Sequence, residues 1–396
     1  MRSATADNIK TAGLSHSNMN PEQLRADIPA LDRAVYLNTG ASSPSPRRVV
    51  EAMTEFAEYF EYEVPAGEGV YSVGWETYEA ARETIADFLG VDPREIALTK
   101  STADGINLLA AAMDFQPGDV LVRTDLEHPA GILPWNRLAD LDDIEVRVLE
   151  TENGRVDLDS VAAAAEDARL FALSSLTWTH GTRLPIGEIS DIAHDAGAQV
   201  LVDAVQSPGQ YPVDFTQWGA DFVVGAGHKW LLGPWGSGFT YVDSDAIDTL
   251  EPRRIGYRSV EDPSNRDYTY HEGASRFEVG TASPLPHIGL AEAMGLLEEI
   301  GMGTIESHID DLANRLVEGV PTGRLISPRD PESGLVTVSV DDPEATVERL
   351  TEEYDVVIRS LPDPEGAIRA SLHVYNTVED VDRLLDGLKE IEETGW

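Results

Sequence analysis

The stretch that decides the fold is QVLVDAVQSPGQYPVDFTQWGADFVVGAGHKWLLGPWGSGFTYV, residues 199–242. It holds three short apolar runs, at 200–202, 222–224 and 239–242, separated by turn residues. Short runs of this kind that are rich in valine are typical of fully buried strands. The first run ends on Asp203, and the second leads through a small-residue turn to His228 and Lys229. We therefore expect a carboxylate and an amine at adjacent strand ends, on one edge of a sheet.

Upstream of this stretch, short apolar runs alternate with amphipathic segments. The predicted strands are 96–99, 120–122, 144–149, 170–176 and 199–204, and the predicted helices between them include 101–113, 158–166 and 186–196. Strands separated by helices predict an α/β fold with a mostly parallel, doubly wound sheet. We expect seven strands or a similar number, enclosed between helices.

The C-terminal part has a different pattern. A polar segment, 243–275, is followed by two helices and then by the predicted order strand, helix, strand, strand, helix over 335–391. This order predicts a small α+β domain over 283–396, packed on a large domain over 21–282. Residues 21–35 are candidates for packing on the small domain, and residues 1–20 are expected to be a disordered or vector-derived tail.

The composition is strongly acidic. The chain has 396 residues, 71 acidic against 29 basic side chains, a net charge of −42, and only four lysines. Such a charge repels nucleic acid and anionic membranes. We interpret it as adaptation to a salty cytoplasm, because screening is nearly complete within a few ångströms in concentrated salt. An acidic binding protein for a basic partner would instead carry acidic blocks, whereas these acids are spread through every predicted helix.

Several classes of protein are excluded by what the sequence lacks. It contains no cysteine, so disulfides, thiolate metal sites and protein thiol chemistry are excluded. No run approaches the roughly 18 apolar residues of a membrane helix. The first 18 residues lack the apolar core of a secretory signal, which favours a cytoplasmic location. No spacing of histidines and acids indicates a metal site.

Lys229 and Asp203 together indicate a cofactor. The chain has few lysines, so the presence of a lysine at position 229 suggests a chemical role. A lysine forms a Schiff base with a carbonyl compound, and an arginine does not. A carboxylate at Asp203 would keep a pyridine nitrogen protonated. Pyridoxal phosphate has both the carbonyl and the pyridine ring. The alternatives are a loop lysine paired to an acid and an aspartate that caps the next loop.

Other residues also fit a pyridoxal phosphate site, and each of them has an ordinary structural explanation as an alternative. Ser101, Thr102 and Ala103 open a helix directly after a strand, which suits a phosphate, although a plain helix cap explains them equally. His128 and Trp178 lie beyond strand ends and could stack on a flat cofactor or simply pack. Arg369 interrupts a predicted strand, which a substrate carboxylate or an internal salt bridge would explain.

These residues, in this order, resemble the class V aminotransferase family of pyridoxal phosphate enzymes. That group includes cysteine desulfurases, selenocysteine lyases, cystine C–S lyases and isopenicillin-epimerase-like proteins. The resemblance runs from about Tyr36 to the C-terminal helix and rests on residues 102–107, 127–129, 202–206, 227–230, 276–281 and 369–372.

The resemblance implies a role for each matching residue. It implies the fold-type-I architecture of pyridoxal-phosphate-dependent transferases and a homodimer with shared active sites, in which Thr281 reaches the phosphate of the second subunit. The implied cofactor contacts are Lys229 as the Schiff-base lysine, Asp203 at the ring nitrogen, His128 on the ring face, Gln206 near the ring hydroxyl, and Thr102 and His228 at the phosphate. Ser101, Ala103 and Trp178 are further candidates for cofactor contacts from their positions in the sequence. The implied contact of the substrate α-carboxylate is Arg369, helped by Arg359. Asn38 is a further candidate for a substrate contact.

The sequence departs from the desulfurase pattern in three places. Desulfurases carry a cysteine on the loop that is residues 360–366 here, and this chain has none. Trp178 lies in the segment where they have a ring-facing asparagine, and Ala226 replaces a serine that contacts the phosphate. We therefore expect a C–S lyase that acts on a small amino acid without a persulfide cysteine. Transamination, epimerisation and a catalytically silent binding module are the alternatives.

Overall fold

A computed structural model describes residues 19–394. Most of the expected N-terminal tail therefore lies outside the described residues. The helices are α1 (Pro21–Ala26), α2 (Arg47–Glu58), α3 (Val70–Leu89), α4 (Thr102–Ala112), α5 (Leu133–Asp142), α6 (Leu158–Ala165), α7 (Ile186–Asp195), α8 (Phe215–Trp218), α9 (Leu285–Ile300), α10 (Met302–Gly319), α11 (Pro343–Tyr354) and α12 (Val378–Thr394). The strands are β1 (Val35–Tyr36), β2 (Ile96–Thr99), β3 (Val120–Thr124), β4 (Glu145–Leu149), β5 (Ala168–Ser174), β6 (Gln199–Asp203), β7 (Phe222–Ala226), β8 (Gly238–Val242), β9 (Leu335–Ser339), β10 (Val356–Val357), β11 (Arg359–Ser360) and β12 (Ala367–Ser371).

The central sheet has seven strands in the order β2-β8-β7-β6-β5-β3-β4. Strand β8 runs antiparallel to both of its neighbours, and all other pairs are parallel. This arrangement confirms the α/β prediction of a mostly parallel sheet. The three runs of residues 199–242 are the adjacent strands β6, β7 and β8, so the ends of β6 and β7 lie side by side.

The main core forms where helices cover this sheet. Val200, Val202 and Phe239 of the sheet share one buried cluster with Leu290 and Met294 of α9. Burial of each such side chain stabilises the fold by about 1.5–3 kcal/mol relative to exposure. Helix α9 also packs on α2 and α3, so it joins the N-terminal helices to the sheet.

The C-terminal part forms a second sheet in the order β11-β12-β9, with antiparallel pairing. The N-terminal segment packs on it: β1 pairs with β10 in parallel, and Arg25 forms an ion pair with Asp380 at 2.7 Å. The boundary near residue 283 remains a prediction. Within residues 19–394, no helix is long and apolar enough to cross a membrane.

Candidate active site

Asp203 and Lys229 line the same cavity, which has a volume of about 220 Å³. Asp203 is the last residue of β6, and Lys229 follows β7 after the turn at Gly227 and His228. Parallel strands present their carboxyl ends at one edge of a sheet, which brings these two side chains to one place. The lysine amine has no hydrogen bond or ion pair with any other residue of the described chain.

Burial shifts the pKa of each of these two side chains in the direction that favours its neutral form. Burial lowers the pKa of Lys229 to about 8, while Asp203 opposes this shift and Arg369 and Arg359 add to it. Burial also raises the pKa of Asp203, although a hydrogen bond of 2.9 Å from the Val205 N–H and the charge of Lys229 work in the opposite direction. A lysine with a lowered pKa is a better nucleophile near neutral pH, because more of it is the free amine.

One end of the cavity suits a phosphate. It is formed by the start of α4, where the Ser101 side chain accepts a hydrogen bond of 3.1 Å from the Asp104 N–H and so caps the helix. The first N–H groups of a helix have no intrahelical partner and attract anions. The buried Thr102 hydroxyl has no hydrogen-bond partner in the described part of the chain. His228, Ala103 and Ser101 line the same cavity.

Two aromatic side chains form walls for a flat ring. His128 and Trp178 contact each other edge to face, with ring centroids 5.4 Å apart. The His128 Nδ1 accepts a hydrogen bond of 3.2 Å from the Ala130 N–H. Burial and then the nearby charge of Lys229 lower the pKa of His128 to about 4, so the ring is neutral at pH 7. A neutral imidazole ring can pack on the face of a cofactor without competing with other residues for the negative charges of that cofactor.

Gln206 is held in the cavity wall by two hydrogen bonds. Its side-chain amide donates to the Gly40 carbonyl at 3.0 Å, and its oxygen accepts from the Trp230 indole at 2.7 Å. The amide nitrogen keeps one further N–H, so Gln206 retains a donor for a neighbouring group.

The cavity lining also includes two arginines, Arg369 and Arg359, which suit a carboxylate. Arg369 is fully buried in β12, and one of its nitrogens donates to the Trp178 carbonyl at 2.7 Å. Its Nε and a second terminal nitrogen have no hydrogen-bond partner within residues 19–394. Arg359 is its partner in the β11–β12 ladder. Burial and the charge of Arg359 lower the pKa of Arg369 to about 9.

No acidic side chain among residues 19–394 pairs with Arg369 or Arg359. The internal salt bridge that the sequence left open for Arg369 is therefore not formed within the described chain. A buried guanidinium without a counter-ion is costly. In a chain with 71 acidic residues, the two unpaired arginines indicate a site for an external anion.

Two of the expected site residues lie outside the cavity lining. Asn38 pairs with Ser371 beside Arg369, and its side-chain oxygen is buried without a partner. Thr281 is exposed on the loop before α9, where its N–H donates to the Tyr257 hydroxyl at 2.8 Å. The roles of Asn38 at the substrate and of Thr281 at a second subunit remain predictions.

One buried acid next to the cavity was not identified as a site residue from the sequence. The Glu127 side chain accepts hydrogen bonds from the Ser174 N–H at 3.1 Å, the Ser174 hydroxyl at 2.6 Å and the Thr124 hydroxyl at 2.7 Å. Ser174 is the partner of Asp203 in the sheet. Burial raises the pKa of Glu127 to about 7, and Asp203 adds to the rise. The available signals were its place directly before His128, just after a buried strand, and its membership of the stretch 127–129 that carries the family resemblance.

The residues present fit pyridoxal phosphate. The orphaned Thr102 hydroxyl and the start of α4 match its phosphate, and His128 and Trp178 match its flat ring. Asp203 matches its pyridine nitrogen and Lys229 its carbonyl group. The unpaired Arg369 remains for the carboxylate of an amino acid.

Comparison with known proteins agrees with this geometry. The model of the aminotransferase class-V family matches residues 35–384. A probable cysteine desulfurase of Methanothermobacter thermautotrophicus is 34% identical over 95% of this chain and 99% of its own length.

Solved structures show the same fold. The apo cysteine desulfurase of Thermococcus onnurineus NA1 is 33% identical, with a TM-score of 0.87 over 95% of this chain and 98% of its own. The cystine C–S lyase C-DES, in complex with its reaction product cysteine persulfide, is 28% identical, with a TM-score of 0.86 over 92% of this chain and 99% of its own. A mutant of C-DES carries glycine covalently linked to its pyridoxal phosphate cofactor and has a TM-score of 0.87 at 28% identity, over 93% of this chain and 99% of its own.

Proposed function

Because this chain belongs to the class-V aminotransferase family, we propose that it cleaves the carbon–sulfur bond of a small sulfur amino acid. It is an enzyme of that family, with pyridoxal phosphate as its cofactor. The observation that carries the proposal is the fully buried, unpaired Arg369 guanidinium, which lines the same cavity as Lys229 and Asp203. One cavity thus offers an amine, an acid and a receptor for a carboxylate, which together suit an α-amino acid.

When bound, pyridoxal phosphate supplies a carbonyl that bonds to amino groups and a ring that accepts electrons from the bond broken at the α-carbon. Lys229 would hold this group through its amine, and the same amine, when free, would remove the proton from the α-carbon of the substrate. Asp203 keeps the pyridine nitrogen protonated. Arg369 binds the α-carboxylate through its two free nitrogens, with Arg359 and Asn38 beside it.

The sulfur leaves without a protein thiol, because the chain has no cysteine to accept it. With cysteine as substrate, the Cβ–S bond breaks, hydrogen sulfide leaves, and hydrolysis of the remaining three-carbon fragment yields pyruvate and ammonia. With cystine, the group that leaves is the persulfide of cysteine. The names of the relatives support a substrate of this class, cysteine or cystine.

A homodimer with shared active sites is part of the proposal. Thr281 lines a surface groove with Tyr71, and its N–H donates to the Tyr257 hydroxyl. These two tyrosine side chains are 61% and 44% exposed. Exposed aromatic side chains in one area are typical of protein–protein interfaces. A second copy on this face would cover them and would bring Thr281 towards the neighbouring cavity. Sedimentation at high salt should give twice the monomer mass.

The test follows the visible absorbance of the cofactor in the purified protein at high salt. Cystine, cysteine, cysteine sulfinate, alanine and aspartate are added in turn, and the products are identified. Pyruvate with a released sulfur species supports the proposal. Conversion of the cofactor to its amine form, reversed by a keto acid, would show a transaminase instead, and racemised substrate would show an epimerase. No spectral response to any amino acid would favour a silent binding module.

A further inference from the structure

Three aromatic rings form a buried column behind the active site. The Trp230 and His373 rings lie nearly parallel with centroids 5.7 Å apart, and the His373 and Tyr375 rings lie 5.1 Å apart. All three side chains are almost completely buried. None of the three lines the cavity of Lys229.

Both ring nitrogens of His373 are used in hydrogen bonds to the backbone. Its Nε2 donates to the Trp230 carbonyl at 2.9 Å, and its Nδ1 accepts from the Val374 N–H at 2.8 Å. This pattern requires the neutral tautomer with the proton on Nε2. Burial lowers the pKa of His373 to about 4, which agrees with a neutral ring. His373 therefore has no free nitrogen for proton transfer, and its contribution is one of position.

The column connects the segments that carry the two chemical groups of the site. Trp230 directly follows Lys229, and His373 lies just beyond β12, the strand of Arg369. The hydrogen bond from His373 to the Trp230 carbonyl is thus a direct link between these two segments. The Trp230 indole extends the link to the cavity wall through Gln206.

The column also reaches the N-terminal loop. The Tyr375 hydroxyl lies 2.5 Å from the Thr39 hydroxyl, and Gln206 donates to the carbonyl of the neighbouring Gly40. The hydrogen bonds that join the column to Thr39 and Gln206, and Gln206 to Gly40, are all buried. A buried network that is fully hydrogen-bonded holds its members rigidly.

We propose that His373 is a positioning residue, which holds the Lys229 amine at a set distance from the Arg369 guanidinium through its hydrogen bond to the Trp230 carbonyl. This inference rests on the proposed function, in which Arg369 binds the substrate carboxylate and Lys229 removes the α-proton. The α-carbon is adjacent to the carboxylate, so the distance between the two side chains decides whether the amine reaches the proton. A misplacement of about 1 Å can slow such a step by about a hundredfold.

The test compares His373→Phe, which keeps a flat ring but loses the donor, with His373→Gln, which keeps a donor of similar reach. His308→Phe is the matched control, because the half-buried His308 also donates to a backbone carbonyl, that of Asn376, at 2.8 Å, but does not contact the Lys229 segment. We measure kcat per bound cofactor, KM, and the displacement of Lys229 by an α-methyl amino acid, which has no α-proton to lose.

For His373→Phe we expect kcat per bound cofactor to fall by about tenfold to a hundredfold. KM and the displacement of Lys229 should stay within about twofold of wild type, since carboxylate binding does not depend on proton transfer. His373→Gln should recover part of kcat, and His308→Phe should match wild type. A purely structural role would lower cofactor content or thermal stability without changing kcat per bound cofactor.

The outcomes separate this inference from the proposed function. If wild type turns over and His373→Phe matches it per bound cofactor, or if His373→Gln is as slow as His373→Phe, the inference is wrong and the proposed function stands. If wild type neither takes up pyridoxal phosphate nor responds to any amino acid, the proposed function fails, and the inference fails with it.

Discussion

Lys229, Asp203, Glu127 and Arg369 are four ionisable side chains removed from bulk water around one small cavity. Burial disfavours the charged form of each, and the four respond differently because their partners differ. The opposite charges of Lys229 and Asp203 moderate each other's pKa shift. Among residues 19–394, Glu127 accepts hydrogen bonds only from hydroxyl and backbone donors, and Arg369 has no acidic partner. The charges of the site are thus not fully paired with each other, which suits the binding of a charged ligand.

The first prediction at this scale concerns Arg369. Arg369→Lys keeps the positive charge but removes the two free nitrogens that can bind a carboxylate together. Hydrogen bonds to charged groups contribute about 1.5–3 kcal/mol, so we expect KM for the amino acid to rise by about tenfold to a hundredfold. The cofactor absorbance should not change. Arg324→Lys, at an exposed ion pair with Asp341, is the control. An unchanged KM would show that Arg369 does not bind the substrate.

The second prediction concerns the pH dependence of stability. The pKa of Glu127 is about 7 in the folded protein and near its ordinary 4.5 when unfolded. Between these values the folded state binds more protons, so this group makes the free energy of unfolding fall as pH rises. Glu127→Gln removes this contribution. The free energy of unfolding of Glu127→Gln minus that of wild type should therefore rise as the pH increases between these two pKa values, by up to about 3 kcal/mol.

Urea unfolding of the cofactor-free protein at several pH values in constant high salt measures this difference. Above the folded pKa the difference should become constant, because Glu127 is then ionised in both states. A difference that is the same at every pH would contradict the prediction that burial raises the pKa of Glu127 in the folded protein.

At the scale of elements, the site depends on how closely α4 approaches the sheet. Gly105 makes this approach possible, since a Cβ added there would lie 2.5 Å from the Thr240 hydroxyl and 2.8 Å from Val224. The opening of α4 is similarly close to β8, where a Cβ at Gly238 would lie 2.6 Å from the Ser101 nitrogen. These contacts place the start of α4 at the cavity.

The third prediction follows from this packing. Gly105→Ala should push α4 away from the sheet and weaken cofactor binding by about tenfold, with a loss of stability of about 1–3 kcal/mol from overpacking. Gly295→Ala is the matched control, because Gly295 is also inside a helix and a Cβ there meets nothing within 4 Å. The control should keep its cofactor affinity and gain up to about 1 kcal/mol. Equal cofactor affinity in both variants would contradict the proposed role of α4.

At the scale of the whole molecule, the net charge of −42 dominates. Its acids are spread over the chain, so mutual repulsion opposes the compact state at low ionic strength. We propose that the protein works in a salty cytoplasm, where the repulsion is screened. The few ion pairs at buried positions, such as Arg82 with Glu278 at 2.6 Å, are much less sensitive to salt.

The fourth prediction is a strong dependence of stability on salt. The urea midpoint should rise when KCl increases from about 0.1 M to about 2 M, because the Debye length shrinks from about 10 Å to below about 3 Å. Glycerol at matched osmolarity is the control for effects other than screening. A midpoint that does not depend on KCl would show that the charge has another purpose.

Much of the fold and of the site could be predicted from local patterns. The runs of residues 199–242 predicted β6, β7 and β8, and alternation of strands and helices predicted a mostly parallel sheet, because buried strands have a short-range signature. The positions of Asp203 and Lys229 at adjacent strand ends followed from that pattern. The ion-pair partners and the burial of individual side chains could not be predicted in this way, since both depend on segments that are far apart in the chain.

The sequence by itself determined the mostly parallel sheet and the meeting of an amine with an acid at its edge. Only the tertiary structure decided that Arg369 has no acidic partner within residues 19–394, that Glu127 is buried and bonded to the sheet partner of Asp203, and that His373 links two segments of the site. Strand formation depends on neighbouring residues, whereas the charge state and position of a side chain depend on what the folded chain brings around it.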